Sequence, residues 1–587
     1  MKIVTVIPLV RGIKKELTYF AKADPGLGRI VIVPTRKKFI EALVIDVKDL
    51  REHKSAVKIS EFGLRKIQEL KGAPIWDKAF FESCRRASKY FAHPLGEIIA
   101  TFLPKNFLDA RHKLALGKEY LASKSDFRAE KLVLQTLLDD RIDFYKTFIR
   151  ESFAKKSSVF FVLPRLADIE FFAKRLSFGL EPYTFCLHGK LTPKKQIEIY
   201  NKIMTTDHPV LVFGTGSFLF LPRPDLKIFI LEKEASDEYR TVANNLDVRI
   251  FVEILAEERN AKLILADTIL RLETIEGVNQ GLFSEVLPMN FRLAALPEII
   301  HQEKFSILEL PTFKMIQENQ SGQTFLFALR KGLATLIICH DCQTPVICEK
   351  CSRPLILAGE RERTFVCHSC RETRSAGEKC ANCLGWNLVP LGIGAERVYG
   401  EVKKDFPDRS IILFEKEKDI NNFFETPGAI LIGGENALAL LKDRVNSSAV
   451  ISFDTLWNIP DFRMNEKIIQ ILIELLEKTK KKTVIQTRHD LEIKENLLDF
   501  VREEQSLRKK YGYPPFTRLI EIIMREDNRA KKITEEFEKW APEEWRFGRK
   551  LTLVIRVPTE DWNGKKVVPD LWEKLINLPP DIRVIVQ

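Results

Sequence analysis

The sequence predicts a multidomain α/β protein: a β-rich N-terminal domain, two doubly wound α/β lobes, a double-zinc insertion inside the second lobe and a small C-terminal α+β domain. Three observations carry this prediction. The chain has 587 residues, and single cores stop growing near ~250–300 residues. Short β-rich runs alternate with helical segments in two successive sets, as parallel sheets require. Eight of the ten cysteines fall between positions 339 and 383.

Bulk properties narrow the class. With 45% hydrophobic and 30% charged residues the chain is expected to fold in water. No apolar run reaches the ~18–20 residues of a membrane span, so no membrane role is expected. The opening MKIVTVIPLVRGIKK reads as a first strand rather than a signal peptide. A cytoplasmic monomer is the expectation, and in that compartment paired cysteines favour metal or redox chemistry over disulfides. The net charge of +12 suits a polyanionic partner; a solvated lysine-rich surface accounts for it equally well.

The elements follow in order. GRIVIVPTRKKFIEALVIDV (28–47) reads as two strands around a basic turn, within an N-terminal domain at 1–108. Residues 75–103, ending in YFAHPLGEIIATFLP, read as helical, and the polar stretch 109–128 as a linker. The first lobe, 129–278, has strands at SSVFFVLP, TFCLHG, PVLVFGTG, LKIFILE and KLILAD, with helices such as DIEFFAKRL and KKQIEIYNKIM between them. The second lobe begins at 279–338 with QTFLFAL, breaks for the cysteine block at 339–383, and resumes over 384–505 with SIILFE, GAILIGG, AVISFD and TVIQT. The final domain, 506–587, reads β–α–β from YGYPPFTRLIEIIM to IRVIVQ.

The cysteines form four Cys-x-x-Cys pairs: Cys339/Cys342, Cys348/Cys351, Cys367/Cys370 and Cys380/Cys383. Zinc takes four thiolates in a tetrahedron, and each Cys-x-x-Cys turn brings two to one point. Four pairs make two Zn²⁺ sites. The inner pairs read C-x2-C-x15-C-x2-C, which fits one ribbon site and leaves the outer pairs for the second, a nested arrangement. Sequential pairing is the alternative. A redox device needs a single Cys-x-x-Cys at a helix start, which four clustered pairs do not resemble. Sites closed by four thiolates organise a loop rather than catalyse. His340 and His368 read as surface residues, and Cys84 and Cys186 as small buried side chains.

Four stretches together resemble the primosomal protein N′ family of replication-restart helicases. LTYF with GRIVIVP and YFAHPLGEIIATFLP resembles the family's N-terminal DNA-binding domain. VLVFGTGSFLF, IFILEKEASDEYR and LILADTILRLET resemble its first lobe. GQTFLFALRKGLATLIICHDC, running through the cysteines to LVPLGIGAERV, resembles its second lobe, and RKKYGYPPFTRL the entry to its last domain. The resemblance implies two RecA-like helicase lobes, binding of forked or single-stranded DNA, ATP-driven 3′→5′ unwinding, and primosome and single-strand-binding proteins as partners. It also implies that Leu17, Thr18 and Tyr19 stand where the family holds a DNA 3′ end with Phe-Asp-Tyr. Tyr19 could still stack on a base, whereas Thr18 lacks the carboxylate. Gly28, Arg29, Arg36, Lys37 and Lys38 could contact phosphate; a solvated basic turn is the alternative.

The chain departs from the family where ATP chemistry belongs. A phosphate loop, GxxxxGK[ST], needs glycines to wrap phosphate, a lysine for charge and a hydroxyl for Mg²⁺. Its place reads QTLLDDRIDFYKTF (135–148), without glycine, with Asp139 and Asp140 facing the phosphates and Arg141 and Ile142 at the lysine and hydroxyl positions. The metal-holding Asp-Glu-Glu-His becomes Glu232-Lys233-Glu234-Ala235, read here as a strand end with solvated charges. Gly-Ser-Ala-Thr-Pro becomes Ala266-Asp267-Thr268-Ile269-Leu270. The segment that supplies an arginine finger falls at IIQILIELLEKTKKK (468–482), which contains no arginine and reads as a core-facing helix with a lysine tail. The expectation is a zinc-containing replication-restart protein that binds DNA without hydrolysing ATP, which leaves ATP and Mg²⁺ in doubt as cofactors. No catalytic or nucleotide-binding residue is assigned. An active helicase of the same family is the alternative, and a zinc-thiol redox protein a distant one.

Overall fold

The computed structural model describes the chain except for residues 9–15, 36–38, 50–64, 72–75, 116–128, 242–244, 303–305, 329–335, 343–345, 347–348, 350–354, 359–363, 367–372, 376, 378, 392–393, 452, 454–461, 488–492 and 548–549. Most of the expected linker, and the basic-turn residues Arg36, Lys37 and Lys38, lie outside the described residues. So do Cys348, Cys351, Cys367, Cys370 and His368.

The N-terminal strands send apolar residues to cores on both faces, Val4, Val31, Ala42 and Val44 to one and Ile7, Ile30, Leu43 and Ile45 to the other, and form a five-stranded antiparallel sheet. Leu17–Ala21 lies at one edge, and a bridge from Phe20 to Lys66 ties that edge to the incoming segment. Two helices follow. Asp77 caps the first, Lys78–Phe91, by accepting from the Phe80 N–H, and the second is Leu95–Phe102. Their aromatic faces rest on the first lobe, where Phe102 stacks on Phe251 at 3.6 Å between centroids.

The first lobe is a seven-stranded parallel sheet. Its strands run Ser284–Glu285, Glu130–Gln135, Lys262–Asp267, Leu226–Glu232, Ser158–Val162, Leu211–Gly214 and Thr184–Leu187 across the sheet. Helices cover both faces: Leu138–Ala154 and Leu166–Leu176 on one, Pro193–Thr205 and Val248–Glu258 on the other. The second lobe repeats the design with six parallel strands, ordered Glu298–His301, Thr479–Thr487, Val445–Val450, Thr324–Phe327, Ile430–Gly433 and Ile411–Leu413. This is the multidomain α/β architecture that the alternating pattern predicts.

Two local readings change. The lysine tail expected on the 468–482 helix is not helical: Met464–Glu477 ends at Lys478, and Thr479–Thr487 is a strand. The β-branched run Thr483, Val484, Ile485 and Thr487 pairs beside Val445–Val450 instead. The C-terminal domain is fuller than β–α–β. Its four-stranded antiparallel sheet gains Glu543–Phe547, and a second helix, Pro569–Ile576, precedes the last strand. Among the described residues no helix is long and apolar enough to cross a membrane.

One apolar core joins three domains. It runs from the N-terminal helices (Phe80, Phe91) through the first-lobe sheet (Phe229, Leu231) into the C-terminal domain (Ile522, Trp562). The Trp562 indole N–H donates to the Tyr90 carbonyl at 2.7 Å. Arg86 forms ion pairs with Glu257 and Glu258 and donates to the Gly564 carbonyl.

Candidate functional site

The carboxyl ends of parallel strands are where α/β folds place ligands. In the first lobe those ends are Gln135, Glu232 and Asp267, and the second lobe faces them with the helix Met464–Glu477. The residues read in place of a phosphate loop do not stand open. Arg141 lies in the first turn of Leu138–Ala154 and is 1% exposed. Its guanidinium donates to Glu232 Oε1 from Nε at 3.0 Å and Nη2 at 2.9 Å, to Thr268 Oγ1 at 2.8 Å and to the Thr136 carbonyl. Tyr145, one turn on, donates its hydroxyl to Glu232 Oε2. Glu232 is fully buried. The carboxylate that would hold Mg²⁺ is thus saturated by side chains of its own lobe.

The reading of Glu232-Lys233-Glu234 as solvated charges is overturned. Both glutamates are 0% exposed. Glu234 accepts from the Arg271 side chain and backbone and from the Thr274 hydroxyl. Lys233 adopts φ +57° and turns into the cleft, 2.7 Å from Asp168 and 3.5 Å from Glu474 of the second lobe. Charges this deep persist only when paired.

The cleft between the lobes is lined by Arg141, Arg165, Lys233 and Asp267 on one side and Glu435, Lys467, Glu474 and Glu477 on the other, with a volume of about 100 Å³. Ligand pockets usually hold ~300–1,000 Å³. Burial pushes the Asp267 carboxyl up to about 7, with Arg141 pulling down and Glu232 adding to the rise. Burial likewise raises Glu477, opposed by Arg141 and by the Thr268 hydrogen bond. Burial also opposes the charge on Glu474, but Lys478, Lys233 and Arg165 outweigh it and hold that carboxyl well below the usual range. A triphosphate would meet Asp267, Glu435, Glu474 and Glu477 in a space too small for it, so the residues present do not fit ATP and Mg²⁺.

The second site is a thiolate cluster. The antiparallel pair of Leu336–Cys339 and Leu388–Leu391 sets Cys339 across from Leu388, five residues beyond Cys383. The Sγ atoms of Cys339, Cys342, Cys380 and Cys383 all lie within 4.8 Å of one another. Cys339 and Cys383 are 3.4 Å apart, and Cys342 and Cys380 3.6 Å. With Zn–S near ~2.3 Å, tetrahedral thiolates sit about 3.8 Å apart, so this donor set fits zinc. The cluster brings together the two outer pairs of the nested arrangement. His340 is exposed, as expected, and outside the cluster.

The third is the edge of the N-terminal sheet. Leu17 is half-buried, Thr18 is exposed and Tyr19 is 6% exposed, its hydroxyl donating to the Pro34 carbonyl at 3.0 Å. Arg65, which sequence reasoning passed over, donates to the Thr35 carbonyl beside them, and its charge reaches Tyr19. Its signal was only its place, in a polar stretch before a short strand. Gly28 and Arg29 lie on the next turn. Arg29 lines a shallow 560 Å³ hollow with Asp24 and Asp46. Gly28 is buried at φ +74°, and a Cβ there would stand 2.4 Å from the Trp76 indole nitrogen. Gly28→Ala is therefore expected to cost about 1–3 kcal/mol through overpacking and a left-handed backbone. Thermal melting would show this as a lowered midpoint, and an unchanged midpoint would contradict the packing.

The chain has relatives. Residues 3–104 match the profile of the 3′ DNA-binding domain (3′BD) of PriA. The replication restart protein PriA of Borreliella burgdorferi is 25% identical over 66% of this chain and 63% of its own length. That of Rickettsia conorii is 24% identical over 88% of this chain and 86% of its own. The aligned region thus spans under two thirds of the Borreliella protein. Among solved structures, Mss116p bound to ssRNA and AMP-PNP covers 74% of this chain at 13% identity and a TM-score of 0.36.

Proposed function

Because the chain belongs to the primosomal protein N′ family, we propose that it is a replication-restart protein that binds forked or single-stranded DNA and does not hydrolyse ATP. The observation that carries the second half is the Arg141–Glu232 pair, which fills the phosphate and metal positions with the protein's own charges. DNA binding rests on residues 3–104, with Thr18 and Arg65 at the sheet edge and Arg29, Arg36, Lys37 and Lys38 as phosphate contacts; Leu17, Tyr19 and Gly28 shape that edge from within. Two Zn²⁺ ions stabilise the cysteine block, one on Cys339, Cys342, Cys380 and Cys383, the other on Cys348, Cys351, Cys367 and Cys370. Primosome and single-strand-binding proteins are its partners.

ATP turnover by the zinc-loaded protein, with and without forked DNA, tests this beside DNA binding in the same samples. The expected result is binding that weakens steeply with salt, as phosphate contacts require, and turnover at background. DNA-stimulated turnover would restore the active helicase.

A further inference from the structure

In a nucleotide-driven pair of lobes, cations of both lobes close on the phosphates between them. Here the protein's own charges bridge the cleft. The first lobe presents Arg141, Arg165 and Lys233, and the second answers with carboxylates on consecutive turns of one helix. Glu474 lies 3.5 Å from Lys233 and 3.6 Å from Arg165. Glu477 accepts from the Thr268 hydroxyl, which itself accepts from Arg141, so a hydrogen-bonded chain runs from lobe to lobe. Lys467 spans the mouth, between Asp237 of the first lobe at 3.4 Å and Glu435 of the second at 3.0 Å.

Beside this network the lobes share an apolar seam. Ile269, in the position of the coupling motif, packs with Ile473 and Leu476 of the same helix and with Leu293 and Leu497. The amide of Leu272 donates to Glu466 Oε1 at 3.1 Å, and Arg463 pairs with Glu273 at 2.6 Å. A helix that meets the other lobe through both apolar contact and carboxylates is a ligand in its own right.

The geometry points to Glu474 and Glu477 as a built-in substitute for the nucleotide's phosphates, which holds the two lobes closed at all times. This rests on the reading of the chain as a member that does not turn over ATP. It goes beyond that reading, because a protein without ATPase activity could equally have lobes that swing freely. The fixed closure would give DNA one unchanging surface instead of a cycling one.

Hydrogen–deuterium exchange and solution scattering on the full zinc-loaded chain test it without ATP or DNA. In the wild type, the helix Met464–Glu477 and the segment 235–237 should exchange slowly, and a millimolar ATP analogue should change neither exchange nor radius of gyration. Glu474→Lys should speed exchange at both segments by about tenfold or more, since it sets like charges against Lys233 and Arg165. The isosteric Glu474→Gln, which removes the charge without adding a like one, should speed exchange at the same segments by less and leave zinc content and exchange in the N-terminal sheet unchanged, which a merely misfolded variant would not do. An open, expanded wild type, or a Glu474→Lys variant as protected as wild type, would overturn the inference. ATP turnover, measured separately, would overturn the proposed function instead.

Discussion

Arg141→Ala is expected to destabilise the first lobe by about 3–5 kcal/mol, because it strands Glu232 as a buried charge without its partner. The figure belongs to the truncation, not to the worth of the pair. Glu232 would keep only the Tyr145 hydroxyl, and Thr268 would lose the donor that orients it toward Glu477. At roughly 2–4 °C per kcal/mol for a unit of this size, the melting midpoint of that lobe should fall by about 10 °C. Replacing both partners with leucine should recover most of the loss, since an apolar pair of similar volume is often no worse than a buried ion pair. Arg141→Lys offers a sharper contrast. A working phosphate loop would gain from the lysine, whereas here the variant gives up the two-pronged grip on Glu232 and gains no ATP binding. A silent Arg141→Ala in denaturant or thermal unfolding would show that the cleft is more solvated than its geometry implies.

Loss of zinc should produce the other large effect. Structural zinc contributes an apparent ~10–16 kcal/mol to folding in isolated zinc-finger peptides, and Cys339 and Cys380 are both buried. Cys339→Ser or Cys380→Ser should lower the zinc content by one ion per chain and expose the region from Leu336 to Leu391 to proteolysis. The N-terminal domain should remain folded, because its core lies elsewhere. Metal analysis of the purified variants decides the matter. Unchanged zinc in either variant would remove the outer site, and a wild type with one zinc would remove the inner one.

Much of the architecture was legible because it is periodic. SSVFFVLP, KLILAD and GAILIGG became buried parallel strands, and the Cys-x-x-Cys spacing located the thiolate cluster. The cleft was legible only as a series of losses. Asp139, Arg141, Lys233 and the missing finger each read as a broken motif, and no spacing rule links position 141 to 232 or 233 to 474. Those pairings are tertiary, set by which strand ends adjoin in the sheet. Two signals were available. Arg141 shares the apolar face of Ile142, Tyr145 and Ile149, a sign of a buried cation needing an acid. Glu474 and Glu477 sit three apart in a helix that is otherwise core-facing. The sheet edge was harder to read, because burial of Tyr19 and Gly28 depends on Pro34 and Trp76, which no local pattern connects to them.

The shared apolar core bears on what the first α/β lobe does for its neighbours. Phe80 and Phe102 lean on Phe251, and Trp562 plugs the Tyr90 carbonyl. The N-terminal domain thus has no finished surface of its own on that side. Excising the first lobe would uncover a wall of aromatic rings, and truncating the last domain would open the same wall from the far end. The first lobe thus serves as masonry for the domains on either side of it.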